Sequence, residues 1–304
     1  METFHFATSD GAELQCYRWR PLRRPRAAVQ IAHGMGEHAA RYVRIGERLA
    51  NEGYLVVAND HRGHGETAAA DRLGDTGTDG WNRMIADLAE INAHLAKLAP
   101  DVPRVLLGHS MGAMLAQQYL CVHGDTLDAS VLSGSPGLGA PLALWLSHTI
   151  ARFERLRLGP DAASALMQRL LFGSANDSFE GTTGFEWLSR DADEVARYVA
   201  DPKCGFVLRA GSLCDLFAGA RWTRKRAATA RIPNDLPIYV FSGTDDPVHE
   251  KGKGLDRLLA EYRGAGLANV SEKRYPGGRH EMFNETNRDA VVDDLLAWLD
   301  RTLP

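Results

Sequence analysis

RVLLGHSMGAMLAQQYL (residues 104–120) sets one serine between two glycines, with an aliphatic run before it and an apolar helical run after it. RVLL reads as a short buried strand and MGAMLAQQYL as a buried helix. A strand that becomes a helix at Ser110 needs a tight corner, and Gly108 and Gly112 remove the side chains that would collide across it. The serine hydroxyl would then stand clear of the sheet. A plain helix N-cap also wants a serine at such a boundary, but a cap explains neither glycine. The pattern is weak alone and draws its meaning from its context.

That context is an alternation of strands and helices. Upstream, FHFATSDGAELQCYRWR (4–20) reads as two strands joined at Asp10-Gly11, a hairpin turn signal. AAVQIAH (27–33) predicts a central strand, followed by the glycine-bearing loop GMGEH, a helix over 39–51, the strand YLVVAND and the loop HRGHGETAAA. A helix over 80–98 is predicted from Trp81, Met84, Ile85, Leu88, Ile91 and Leu95, whose spacing of three and four marks one buried face. DASVLSG is a further strand. Order returns with LPIYVFSG, a helix near 251–264, the strand NVSEKRYPG and a helix over about 286–301. Short aliphatic strands alternating with helices indicate a parallel sheet covered on both faces. Residues 135–232 interrupt the alternation with helical material and no convincing inner strand, which reads as a helical cap over the strand ends where open α/β sheets bind ligands. The expected organisation is a core of residues 1–134 and 233–304 with a cap of 135–232 between two sheet strands.

Composition narrows the function. A chain of 304 residues with 44% hydrophobic and 24% charged residues is soluble and globular in type, and its formal net charge of −4 gives no sign of a nucleic-acid partner. The basic runs RWRPLRRPR (18–26) and RWTRKR (221–226) read as solvated faces. Cys16, Cys121, Cys204 and Cys214 lack metal-binding spacing and read as reduced thiols. No export signal or membrane-spanning run is visible, so a cytoplasmic location is expected.

Three further loops each follow a predicted strand and each supplies something Ser110 would need. FSGTDDPVH offers carboxylates, RYPGGRHEMFNE offers His280, and IAHGMGEH offers backbone N–H groups. The order serine, aspartate, histidine is that of α/β-hydrolases. His280 would accept the Ser110 proton and return it to the leaving group, while a buried carboxylate fixes the imidazole tautomer. Asp246 is preferred over Asp245 for that carboxylate, because Pro247 fixes the following backbone and brings no competing N–H. Asp245 reads as a turn residue.

HGMGEHAARY (33–42), DHRGHGET (60–67), GHSMGA (108–113), GTDDPV (243–248) and GGRHEMFNE (277–285) together resemble the monoglyceride lipase and lysophospholipase group of serine hydrolases, the serine-aminopeptidase-like branch of the α/β-hydrolase superfamily. The resemblance implies a mostly parallel sheet flanked by helices and a catalytic triad of Ser110, Asp246 and His280. It also places the oxyanion-hole donors at the backbone N–H groups of Met35 and Met111. No cofactor and no metal are expected, and the resemblance points to a single-chain acyl ester, monoacylglycerol or lysophospholipid, as substrate. An amide or peptide hydrolase, a small-ester esterase and a noncatalytic binding protein of the same fold are the rivals.

Several motif residues also have plainer roles. His33, Glu37 and His38 have no metal-ligand spacing and read as a brace for the oxyanion loop. Asp60, His61, Arg62 and His64 read as a packed polar loop, and Glu281 as an ion-pair partner. In the cap, Leu142, Leu144, Trp145, Leu146, Ile150 and Phe153 are expected mostly to pack inside a helical core. A transient membrane-surface contact through the cap is the alternative use of that apolar surface. The oligomeric state is left open.

Overall fold

A computed structural model describes all 304 residues. The N-terminal hairpin comprises β1 (Glu2–Ala7) and β2 (Glu13–Trp19), followed by β3 (Ala27–Ala32). A single 3₁₀ turn over Ala39–Tyr42 precedes α1 (Val43–Asn51), so the helix expected over 39–51 divides into two geometries. Next come β4 (Tyr54–Asn59), α2 (Gly80–Leu98), β5 (Arg104–His109), α3 (Met111–His123) and β6 (Ala129–Ser133). The chain then leaves the sheet for α4 (Pro141–Leu158), α5 (Ala165–Phe172), α6 (Ala192–Ala200), α7 (Ala210–Thr223) and α8 (Arg226–Thr229). It returns through β7 (Ile238–Gly243), α9 (Lys253–Gly264), β8 (Val270–Tyr275) and α10 (Arg288–Thr302).

One eight-stranded sheet has the order β1-β2-β4-β3-β5-β6-β7-β8. Strands β4 to β8 are parallel where they pair with one another and with β3, and β2 alone runs antiparallel to both its neighbours. The central strands β3, β4, β6 and β7 are buried along their whole length and β5 at all but its first residue, Arg104, as a sheet covered on both faces requires.

Alternation along each strand divides the core into two layers. Leu106 and Val240 face α2, α3, α7 and α9, whereas Val105, Leu107 and Phe241 face α1 and α10. The α2 stripe of Trp81, Met84, Leu88, Ile91 and Leu95 is buried as its spacing predicted, each such side chain contributing about 2 kcal/mol of burial. The four cysteines are free thiols, and no helix is long and apolar enough to cross a membrane.

The expectation for α4 requires correction. Leu144 and Ile150 pack partly against the core, but Leu142, Trp145, Leu146 and Phe153 are exposed, Leu142 by 67% and Phe153 by 59%. Among the α4 residues only Ala151 and Glu154 are buried, because the helix rests on α7 by one face and has nothing over the other. The apolar content of the sequence could not distinguish a helix packed all round from one packed on one side.

Candidate active site

The turn from β5 into α3 gives Ser110 φ 53° and ψ −115°, outside the regions a side-chain-bearing residue normally adopts. Such strain persists only where the surroundings impose it. Here the Ser110 N–H donates to the Ser133 carbonyl on β6 at 3.0 Å, and its carbonyl accepts from Ala113 N–H at 3.0 Å. Both glycines are compulsory. A Cβ at Gly108 would stand 2.3 Å from the Gly112 carbonyl oxygen, and one at Gly112 would stand 2.0 Å from that of Ala32. The Ser110 hydroxyl does not cap α3; it opens instead into the space above the sheet.

Asp246 follows β7 and is buried. Its Oδ2 accepts from His280 Nδ1–H at 2.9 Å and from the Ser242 hydroxyl at 3.0 Å, while Oδ1 accepts from Val248 N–H at 2.9 Å. Burial pushes this carboxyl up, but the His280 imidazole and the hydrogen bonds outweigh it and hold the group below the usual aspartate range. Asp245 is exposed and accepts from the neighbouring Thr244 hydroxyl at 3.0 Å, consistent with a turn role.

His280 lies on the loop after β8, with its backbone N–H donating to the Trp187 carbonyl at 3.3 Å. Its ring sits between those of His109 and Trp187, at 4.8 and 5.0 Å between centroids. Burial pulls the imidazole down, yet the Asp246 charge and hydrogen bond, aided by Glu281 and Glu37, leave it above its ordinary value. With Nδ1 committed to Asp246, Nε2 is the atom left for proton transfer. Ser110 and His280 line one cavity. The structure records no hydrogen bond between them, and such contacts are commonly long before substrate binds.

The Met35 and Met111 N–H groups donate to no other backbone group. Met111 opens α3, where unsatisfied N–H groups and the helix dipole favour negative charge. Met35 lies in the loop after β3, which is strongly braced. Gly34 N–H donates to Glu37 Oε1 at 2.6 Å, and His33 Nδ1–H donates to the Gly34 carbonyl at 2.7 Å. The other His33 nitrogen accepts from His61 N–H at 2.9 Å, fixing its neutral tautomer. Arg41 donates to Glu37 Oε2 and to both Glu281 oxygens, each at 2.7 Å. Glu37 and Glu281 thus take the structural parts read for them, and the partner of Glu281 is Arg41.

The polar loop after β4 packs inward. Asp60 accepts from the N–H groups of Ala39 and Glu66 at 2.7 and 2.8 Å, and Arg62 is held by Asp87 and Asp10. His38, Asp201 and Cys204 present metal-ligand atom types within 4.8 Å of one another. His38 Nε2 and Asp201 Oδ2 already satisfy each other at 2.8 Å, and Arg41 beside the Cys204 thiol opposes a cation.

Ser110 stands where two cavities meet. One, of about 320 Å³, includes His109, Gln168, Arg169, Trp187, Tyr198 and Glu281 in its lining. The other, of about 260 Å³, is walled chiefly by Met111, Met114, Leu138, Leu144, Leu216 and Phe217. Met35 and Phe172 border both. Trp187, Tyr198 and Phe172 come from the inserted helices and were not singled out in the sequence; as isolated aromatics in mixed-polarity segments they carry no motif.

The fold and the tight strand–Ser110–helix turn together define the α/β-hydrolase class. The family model described as serine aminopeptidase, S33 matches residues 23–287, and the chain belongs to that family. It is 30% identical to the monoacylglycerol lipase of Mycolicibacterium smegmatis, over 97% of this chain and 95% of the relative. It is 34% identical to the monoglyceride lipase of Rattus norvegicus, over 93% of this chain and 88% of the relative. The structure of a thermostable carboxyl esterase from Bacillus coagulans, in complex with glycerol, superposes with a TM-score of 0.90 at 29% identity, covering 99% of this chain and 98% of that one. The protein is a serine ester hydrolase.

Proposed function

We propose that the protein hydrolyses carboxylic esters of single-chain acyl lipids, monoacylglycerols or lysophospholipids, through an acyl-enzyme on Ser110. The observation that carries this reading is the position of Ser110 at the junction of an apolar chamber and a more polar one. The apolar chamber suits the acyl chain and the polar one the alcohol. The monoacylglycerol and monoglyceride lipases among its relatives support the same substrate class.

Ser110 Oγ attacks the ester carbonyl carbon while His280 Nε2 takes its proton. The carbonyl electrons move onto oxygen, where the Met35 and Met111 N–H groups receive the charge. Collapse expels the alcohol, which leaves with the proton from His280. Water then attacks the acyl-enzyme with His280 again as base, releasing the acid and restoring Ser110. Asp246 keeps the imidazole in one tautomer and balances its charge.

Residues 135–232 form the cap in this reading, with residues 1–134 and 233–304 as the catalytic core. The exposed side chains of α4 and α5, Leu142, Trp145, Leu146, Phe153, Leu156, Leu166 and Leu170, suit contact with a membrane or micelle surface.

An aminopeptidase needs an unpaired carboxylate to receive the substrate ammonium. The two carboxylates in the cavity linings, Glu37 and Glu281, are both bound to Arg41, which favours the ester over the peptide. The test is a hydrolysis panel of monoacylglycerols, lysophospholipids, p-nitrophenyl esters and aminoacyl amides, run beside fluorophosphonate labelling of wild type and Ser110→Ala. Labelling and ester turnover should both vanish in the folded variant. Persistent labelling of Ser110→Ala, or faster cleavage of amides than of esters by wild type, would overturn the assignment.

A further inference from the structure

The loop carrying Met35 is held from two sides, and one side belongs to the inserted helices. Within the loop, Glu37 captures Gly34 N–H at 2.6 Å, immediately before Met35. Immediately after Met35, the Gly36 carbonyl accepts from the Tyr198 hydroxyl at 2.8 Å and from Gly205 N–H at 2.9 Å. Gly205 N–H also reaches the Tyr198 oxygen at 3.1 Å, closing a three-membered node. Two residues further on, His38 Nε2 pairs with Asp201 Oδ2 at 2.8 Å. Residues 198–205 therefore grip residues 36–38 at two successive points.

The approach is close enough to dictate residue type. Gly36 has φ +67°, and a Cβ there would lie 2.5 Å from the Phe206 carbonyl oxygen. Tyr198 is itself locked by the Arg41 guanidinium over its ring at 4.8 Å, the same guanidinium that joins Glu37 to Glu281 beside His280. Burial keeps the phenol protonated, so it remains a donor to Gly36.

We infer that Tyr198 is a positioning residue for catalysis: with the Gly205 peptide it fixes the Gly36 carbonyl, and thereby the direction of the preceding Met35 N–H toward the forming oxyanion. Met35 N–H shares its rigid peptide plane with the Gly34 carbonyl, which His33 Nδ1–H holds at 2.7 Å. The Gly36 carbonyl lies two planes further on, so its anchoring by Tyr198 acts by limiting the φ and ψ rotations of Met35 and Gly36 through which that plane could shift. The donor would otherwise have to be reoriented during reaction, and preorganisation removes that cost. The consequence is that displacement of the cap segment 198–205 loosens the oxyanion hole, coupling cap position to the chemical step rather than only to substrate entry. The inference rests on the ester-hydrolase reading and the assignment of Met35 given above.

The test is Tyr198→Phe, assayed on soluble p-nitrophenyl butyrate with thermal unfolding measured alongside. Removing an oxyanion donor outright costs 10²–10³ in kcat; loosening one should lower kcat by about tenfold while KM stays within about twofold. The inhibition constant of a trifluoromethyl ketone, which forms a tetrahedral oxyanion on the serine, should rise by the same factor of about ten. Unchanged kcat and inhibition constant would overturn the inference, as would a rise in KM alone, which would make Tyr198 a substrate contact. Should Tyr198→Phe fail to fold, Asp201→Asn in the partly exposed pair with His38 carries the same test, with an expected kcat loss of about threefold; unchanged kcat there overturns it equally. Wild-type turnover that disappears in Ser110→Ala leaves the ester-hydrolase reading standing whatever Tyr198→Phe does, so the two can fail separately.

Discussion

Asp246 Oδ2 accepts from His280 Nδ1–H at 2.9 Å with both side chains sealed from solvent. The pair raises the imidazole above its ordinary value of 6.5 even though burial alone would lower it. The base must be neutral to act, so kcat/KM should rise with pH through an inflection above 6.5. In Asp246→Asn burial acts unopposed by that charge, so the inflection should move to lower pH while kcat falls by about 10⁴. Asp245→Asn, at an exposed position, should change neither. Rate profiles of the three proteins from pH 5 to 9 decide the matter; a loss in Asp245→Asn equal to that in Asp246→Asn would reverse the choice of acid.

The apolar chamber next to Ser110, about 260 Å³, should set the acyl-chain preference. Each methylene buried there contributes about 0.8 kcal/mol, or about fourfold in kcat/KM where that energy is expressed in the transition state. Rates on linear p-nitrophenyl esters should climb from acetyl until the chamber fills, then level off. Ala220 lines the chamber, and Ala220→Phe should move the optimum to shorter chains with little change for acetyl. An unaltered profile would place the acyl chain elsewhere.

Behind the loop that carries Met35, His33, His61 and His64 form a buried ring cluster, with centroids 4.2 Å apart for His33–His61 and 5.1 Å for His33–His64. Burial lowers His61 and His64 to about 3 and His109 to about 4, and depresses His33 as well. Unfolded, these rings would bind protons near pH 6.5. Between that pH and about 4 the unfolded chain therefore holds more protons than the folded one, so stability is complete above 6.5 and falls as pH drops. Each ring contributes a slope of about 1.4 kcal/mol per pH unit across the window. Urea denaturation at pH 7.5 and 5.5 should show the loss, and His64→Gln should flatten it. An equal pH slope in wild type and His64→Gln would mean that His64 titrates normally in the fold.

Trp145 and Phe153 stand exposed on α4 with no protein surface above them. The double variant Trp145→Ser, Phe153→Ser should bind phosphatidylcholine vesicles more weakly and lose activity on emulsified long-chain monoacylglycerol. Its activity on dissolved p-nitrophenyl butyrate should stay at the wild-type level, because neither side chain lines the cavities at Ser110. Vesicle sedimentation indistinguishable from wild type would remove the surface-contact role.

The sequence by itself determined the framework. Strand periodicity, the glycine pair around Ser110 and the order Ser110, Asp246, His280 are local or ordinal signals, and each follows from short-range sterics or from which loop ends which strand. The preference for Asp246 over Asp245 rested on a local argument, Pro247 acting on its immediate neighbour, and in the fold it is Asp246 that meets His280 at 2.9 Å. Tertiary structure alone decided the rest. Arg41 and Glu281 are 240 positions apart, Tyr198 and Gly36 are 162 apart, and neither pair has a periodicity or spacing that joins it. The apolar residues of α4 likewise carried no mark of what would lie above them, since burial depends on the packing of a second helix and not on the side chain itself. The strand–serine–helix corner is written within five residues; the brace around the Met35 loop depends on segments brought together by the folded sheet.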